Sequence, residues 1–256
     1  MDLEITGKRA LVLGASRGLG MAIAKSLAAE GVTVFAAARS RDKIADWSKG
    51  IENVHPVELD LGDIVSVDGT VDMLLKDGGV DIVVNNGGGP PPGTAEAAQR
   101  SAWITHFESM AANLFHLNTR LLPMMKKCGW GRIISITSSG VEQPIPNLAM
   151  SNGIRAAVVG WSKSLANEVA SDGITVNVVM PGRIHTTRVD ELDAAAAKRT
   201  QTDVKDVAAK SLAAIPVGRY GKPEEFADVV TFLASERAAY VTGSRIRIDG
   251  GSIKSI

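Results

Sequence analysis

Cysteine is nearly missing from this 256-residue sequence, with Cys128 standing alone. One thiol makes neither an internal disulfide nor a thiolate metal cluster, so a reducing compartment is the expectation. Tyrosine is almost as scarce, with only Tyr220 and Tyr240. Neither sign of charge is in excess, 28 Lys+Arg balancing 28 Asp+Glu. That balance removes the basic surplus typical of nucleic-acid binders, and no nucleic-acid partner is expected. No run approaches the roughly 18 apolar residues of a membrane span. The opening Met1-Asp2-Leu3-Glu4-Ile5 also lacks the basic start and apolar stretch of a secretory signal. The expectation is therefore a cytoplasmic protein with no membrane association. No His, Cys, Asp and Glu grouping has metal-ligand spacing, and no metal site is predicted.

What is present is an alternation. Short apolar, β-rich runs at 9–14, 32–38, 54–59, 81–85, 132–137, 174–179 and 245–249 read as strands. Between them, 18–30, 63–76, 99–127, 150–170 and 223–234 read as helices. Near-continuous apolar strands suit a parallel sheet covered on both faces, and strict alternation means βαβ units. With no linker or repeat, residues 1–256 are predicted to form a single α/β domain with a Rossmann-like, doubly wound parallel sheet. Two stretches break the rhythm. The Gly/Pro-rich run Asn85-Asn-Gly-Gly-Gly-Pro-Pro-Pro-Gly93 begins at the carboxyl end of a strand, where ligands bind in open α/β sheets. The Ala-rich, charged segment 186–214 predicts one or two helices outside the sheet, an insertion placed to act as a substrate lid, with plain surface helices as the alternative.

The run Gly14-Ala-Ser-Arg-Gly18-Leu-Gly20 follows the first strand and opens the next helix. Small residues there let backbone N–H groups and a helix N-terminus approach a pyrophosphate. Its spacing is G-x-x-x-G-x-G, accompanied by Asn85-Asn86-Gly87, Ile136-Thr137-Ser138, Pro181-Gly182 and Asp249-Gly250-Gly251. Together these motifs resemble the short-chain dehydrogenase/reductase family across essentially the whole chain, and the segment 160–182 is similar to bacterial 3-oxoacyl-acyl-carrier-protein reductases. The resemblance implies that Gly14, Ser16, Arg17, Gly18, Leu19 and Gly20 cradle the cofactor phosphates. It further implies that Asp60 and Leu61 meet the adenine, that Asn86 and Gly87 pack on the adenosine ribose, and that Pro181, Gly182, Ile184 and Thr186 line the nicotinamide. The second strand ends in Ala37-Ala38-Arg39-Ser40, with no acid for a ribose 2′-hydroxyl. Arg39 with Arg17 suits a 2′-phosphate instead, so NADP(H) is favoured over NAD(H).

The scarcity of tyrosine matters at the catalytic motif. The family resemblance implies a Tyr-x-x-x-Lys pair assisted by a Ser and an upstream Asn. Ser138 holds the Ser position. Counting back from Ser162 without a gap, however, places Ser151 where the Tyr belongs and Arg155 where the Lys belongs, while Met110 stands at the Asn position. An aliphatic hydroxyl is a far weaker acid than a phenol of pKa about 10, and a guanidinium stays charged at neutral pH. The favoured reading is an oxidoreductase acting on a ketone or secondary alcohol. In it Ser138 orients the carbonyl, Ser151 occupies the vacated acid position, Arg155 holds the nicotinamide ribose, and His185 is the substitute titrating group. The alternatives are a dinucleotide-binding pseudoenzyme, serving as redox sensor or subunit partner, and a different reaction on the same fold. His106 and His116 read as surface or subunit-contact residues, and Trp103, Phe107, Phe115 and Trp161 as helix packing. Glu142, Gln143, Pro144, Ile145 and Asn147 read as substrate wall. The resemblance also implies a homodimer or homotetramer paired through the helices at 99–127 and 150–170.

Overall fold

The structure, a computed structural model, describes residues 1–255. Seven strands form one parallel sheet: β1 (Arg9–Leu13), β2 (Thr33–Ala38), β3 (Val54–Glu58), β4 (Ile82–Asn85), β5 (Gly131–Ile136), β6 (Ile174–Pro181) and β7 (Arg245–Ile248). Their order is β3-β2-β1-β4-β5-β6-β7. The chain thus builds outward from β1 in one direction, crosses back, and builds from β4 in the other. The register is continuous, Val12 lying opposite Ala36 on one side and Val84 on the other. The reversal of order between β1 and β4 opens a crevice at the carboxyl ends of the strands.

The period of two in β1 assigns its side chains to two cores. Ala10 and Val12 pack with Ile23 and Leu27 of α1 (Gly18–Ala29) and with Phe226 and Val230 of α9 (Pro223–Leu233). Leu11 and Leu13 face the opposite layer. There they meet Val71 and Leu74 of α3 (Ile64–Lys76), Leu117 and Leu121 of α5 (Asn113–Cys128), and Leu165 of α6 (Ala149–Val169). Every residue of β4 and β5 is buried, the polar Asn85, Arg132 and Ser135 included, as befits strands covered on both faces. A buried polar bridge ties the layers: Asn118 on α5 donates to Asn85 Oδ1 at 2.9 Å, and Asn85 Nδ2 donates to Ser135 Oγ at 3.2 Å. Satisfied in this way, these amides fix α5 against the ends of β4 and β5.

The elements differ from the sequence reading in two places, after β2 and at a π-helical turn, while the segment 186–214 follows it. A short helix, α2 (Arg41–Trp47), follows β2 and had no clear apolar period. The predicted helix at 99–127 is α4 (Arg100–Phe107) joined to α5 through one π-helical turn, Glu108–Ala112, whose extra residue widens the turn. That turn carries Met110 into the cleft described below. The segment 186–214 forms two helices, α7 (Thr187–Thr200) and α8 (Val204–Ala213), packed on each other beyond the end of β6.

Candidate active site

The carboxyl edge of the sheet opens into one cleft of about 1770 Å³. Its floor at one end is the loop from β1 to α1. Gly14 adopts φ +63°, and a Cβ there would run into the Asn86 carbonyl oxygen. Asn86 Nδ2 in turn donates to Leu13 O at 3.2 Å, holding the β4 loop against this turn. Gly20 is equally constrained, since a Cβ would collide with the Gly14 carbonyl. Gly18, at φ +57°, faces Thr186 with room to spare.

Helix α1 begins with no side-chain cap and no acid in its first turn. By contrast α3 is capped by Asp63, α8 by Asp203, and α9 by Glu225 donating no proton but accepting from Lys222 N at 2.7 Å. The uncapped N–H groups of α1 point into the cleft beside Ser16, Arg17 and Leu19, an arrangement suited to a pyrophosphate. At the end of β2, Arg39, Ser40 and Lys43 line the cleft with no acid among them. Asp60 accepts from Gly62 N at 2.9 Å, and with Leu61 and Gly87 it forms the opposite wall. These residues fit a dinucleotide.

The other end of the cleft lies where β5 and β6 finish. Ser138 Oγ accepts from Gly140 N at 3.0 Å, which pins the hydroxyl at the end of β5. Ser151 and Arg155 line the cleft one turn apart on α6. Arg155 donates through Nη1 to Ile136 O at 3.0 Å, and its other terminal nitrogen reaches toward Gly89. The guanidinium is enclosed by the cleft walls, and desolvation draws its pKa down to about 10, with the charge of Arg188 pushing the same way. It therefore stays cationic at neutral pH.

Arg17, Gly18, Leu19, Arg39, Asp60, Leu61, Asn86, Gly87, Ser138, Ser151, Arg155, Pro181, Gly182, Ile184 and Thr186 all line the cleft with Gly14 and Ser16. Gly20 is buried beneath it and acts through packing. Arg17 is also engaged from above, its Nη1 donating to Glu191 at 2.9 Å and to Thr187 at 3.1 Å on α7.

His185 is the clear correction. Its backbone N–H donates to Gly221 O at 2.8 Å, which turns the ring outward toward Asp190 and Tyr220 with 69% of the side chain exposed, and it does not line the cleft. His106 lines the cleft instead, against its reading as a surface residue. Glu142 also leaves the substrate wall, because Arg245 at 3.5 Å and Arg247 at 3.1 Å draw it to β7. Gln143, Pro144, Ile145 and Asn147 do line it. Lys43 and Arg188 went unnoticed in the sequence, although Lys43 lies four residues beyond Arg39, in the first turn of α2. Neither tyrosine lines the cleft, and Tyr220 donates to Asp193 at 3.0 Å outside it.

An open parallel sheet with a glycine-built first turn and a strand-end cleft defines a dinucleotide-type α/β protein. The chain belongs to the short-chain dehydrogenase/reductase family. The matching family model is described as "Enoyl-(Acyl carrier protein) reductase" and spans residues 14–252. The 3-oxoacyl-[acyl-carrier-protein] reductase FabG of Escherichia coli K12 is 37% identical over 255 residues, covering 97% of this chain and 98% of that protein. Among solved structures, the L-sorbose reductase of Gluconobacter frateurii, complexed with NADPH and L-sorbose, superposes with TM-score 0.93 at 33% identity, covering all of both chains. YwfH, an NADPH-dependent reductase involved in bacilysin biosynthesis, gives TM-score 0.93 at 30% identity, covering 97% of this chain and 99% of that one. Among the described residues no group of three or more His, Cys, Asp or Glu could hold a metal, and no helix is long and apolar enough to cross a membrane.

Proposed function

We propose that this chain is an NADP(H)-dependent oxidoreductase interconverting a ketone and a secondary alcohol, 3-oxoacyl reductase-like, with an atypical catalytic site. One observation carries the reading: a single cleft joins the uncapped α1 terminus, the corner lined by Arg39, Ser40 and Lys43, and the residues Ser138, Ser151 and Arg155. NADP(H), when bound, supplies or accepts the hydride, which is the cofactor's own chemistry. The chain's residues do the rest. Arg39 and Lys43 take the 2′-phosphate, with Arg17 able to join them from its pairing with Glu191. Pro181, Gly182, Ile184 and Thr186 shape the nicotinamide end, and Arg155 donates to the adjoining ribose.

Ser138 aims its hydroxyl at the carbonyl, Ser151 adds a second donor, and the Arg155 charge stabilises the developing alkoxide. The proton comes from water admitted through the open cleft, with His106 the one imidazole among its lining residues. Helices α7 and α8 contribute Val189, Leu192, Ala196 and Val207 to the wall and serve as the substrate lid, latched to the cofactor loop by Arg17–Glu191. Subunits pair into a homodimer or homotetramer through α4–α5 and α6. Ile104 and Phe107 are exposed there, and Phe115 stacks on Trp161 with centroids 4.5 Å apart. A cytoplasmic location rests on the lone, exposed Cys128.

The absence of tyrosine from the cleft gives a second reading independent support: a pseudoenzyme that binds dinucleotide as a redox sensor or subunit partner. NADPH oxidation followed at 340 nm against a panel of 3-oxoacyl thioesters and simple ketones decides between them. Turnover that depends on Ser138 upholds the reductase, whereas saturable NADPH binding without oxidation by any substrate upholds the pseudoenzyme.

A further inference from the structure

The buried face of α7 carries an acid where an apolar residue is the rule. Val189, Asp193 and Ala197 recur every four residues and are the buried positions of this helix, with Asp193 only 4% exposed between two aliphatic neighbours. A lone carboxylate there would be costly, and both of its oxygens are engaged. Arg183 Nη1 donates to Oδ1, and the Tyr220 hydroxyl donates to Oδ2 at 3.0 Å. Burial and the Asp193 carboxylate push the Tyr220 phenol up, which keeps it the donor. The two partners come from segments already joined by main chain: Gly221 N–H donates to Arg183 O at 3.0 Å, and His185 N–H donates to Gly221 O at 2.8 Å. Arg183 itself stands between Gly182 and Ile184, which line the cleft. One carboxylate thus ties α7 both to the loop after β6 and to the turn before α9. The Arg17–Glu191 pair meets α7 on another side, about 200° away around the helix. Both of its side chains are about half exposed, so it holds α7 only weakly.

We propose that Asp193 is a positioning residue that sets the height of α7 over the nicotinamide end of the cleft, and with it the size of the substrate pocket. This deepens the reductase reading and rests on it for where the substrate lies. Asp193 does not line the cleft, but Val189, Leu192 and Ala196 on the same helix do, at offsets of four, one and three residues from it. A shift of α7 therefore moves three wall side chains together. An ion pair removed from water adds little net stability, and apolar replacements of such pairs are often neutral. What the pair supplies is direction: a guanidinium and a phenol bond a carboxylate at defined lengths and angles, whereas an apolar contact permits sliding. Asp193 acts through the wall it holds.

The test compares the full chain with Asp193→Asn, which keeps the shape, Tyr220→Phe, which removes one hydroxyl, and Asp193→Leu, which makes the buried stripe wholly apolar. Hydrogen exchange with saturating NADP+ reads how firmly α7 is held. Its amides are expected to exchange about tenfold faster in Asp193→Asn and about threefold faster in Tyr220→Phe, with those of β6 and α9 unchanged. NADPH oxidation by a simple ketone reads the pocket. KM is expected to rise about tenfold in Asp193→Asn while kcat stays within about twofold and NADPH affinity is unchanged, the split that a displaced binding wall produces. Asp193→Leu should share the raised KM yet keep the parental Tm, which separates position from stability. Parental α7 exchange in Asp193→Asn, a parental KM in Asp193→Asn and Asp193→Leu, or a KM that rises only where Tm falls overturns the proposal. If the parent oxidises no NADPH with any ketone while α7 exchange responds as stated, the reductase reading falls and the hold of Asp193 on α7 is upheld.

Discussion

The two ends of one cleft are built by different means. The cofactor end is made largely of backbone: Gly14 and Gly20 permit contacts that a Cβ would forbid, and the α1 terminus offers unspent N–H groups. The other end, where the chemistry is proposed, is made of side chains projected from α6 and from the loop after β5, namely Ser138, Ser151 and Arg155. Backbone geometry tolerates few substitutions, because each would displace main chain of the loops that follow β1 and β4. Side chains on a helix face can be exchanged while their spacing survives, and the interval between Ser151 and Arg155 retains one helical face even though neither residue is the one the family motif implies.

The most drastic way to break the contrast is at the backbone end. Gly14→Val places a branched side chain at φ +63° against Asn86. It should cost about 2–3 kcal/mol of stability and remove NADPH binding at concentrations that saturate the parent, as read by denaturation and fluorescence titration.

The side-chain end should instead accept repair. Ser151→Tyr combined with Arg155→Lys restores a phenol and an ammonium one turn apart, and should raise kcat about tenfold or more, since a placed general acid contributes roughly 10²–10⁴. An unchanged kcat would mean that proton delivery does not limit the reaction. At the 2′-phosphate corner, Arg39→Ala should weaken NADPH about tenfold and leave NADH unaffected.

The smallest effect lies away from the cleft. Arg219 and the Lys222 N–H hold the Glu225 carboxyl down at about 2, below its usual 4.5. A depressed carboxylate contributes stability above the unfolded pKa and loses it as pH falls through the folded one. Glu225→Gln should therefore lower Tm slightly at pH 7, with the gap to the parent closing between pH 4.5 and 2.

Legibility in the sequence follows the same division. The central strands were readable because buried parallel strands are apolar-rich runs, the edge strands β3 and β7 from their place in the alternation, and the glycines of the first turn because their spacing reflects a backbone requirement. The set of residues lining the cleft from Gly14 to Thr186 was picked out through motif order. What escaped was set by tertiary placement. His185 has the right chain position, but a backbone bond to Gly221 turns it outward. His106 looked superficial until α4 and the π-helical turn brought it to the cleft. Glu142 looked like substrate wall until Arg245 and Arg247, more than a hundred residues later, claimed it.

The central claim is that a well-formed cofactor site is coupled to a reduction without a catalytic phenol. It is tested most directly by single-turnover oxidation of bound NADPH by a 3-oxoacyl thioester, comparing the parent with Ser138→Ala and measuring NADPH affinity alongside. The account predicts oxidation by the parent and a loss of about a hundredfold in rate for Ser138→Ala at unchanged NADPH affinity. Tight NADPH binding with no oxidation in the parent, or a rate indifferent to Ser138, would contradict it.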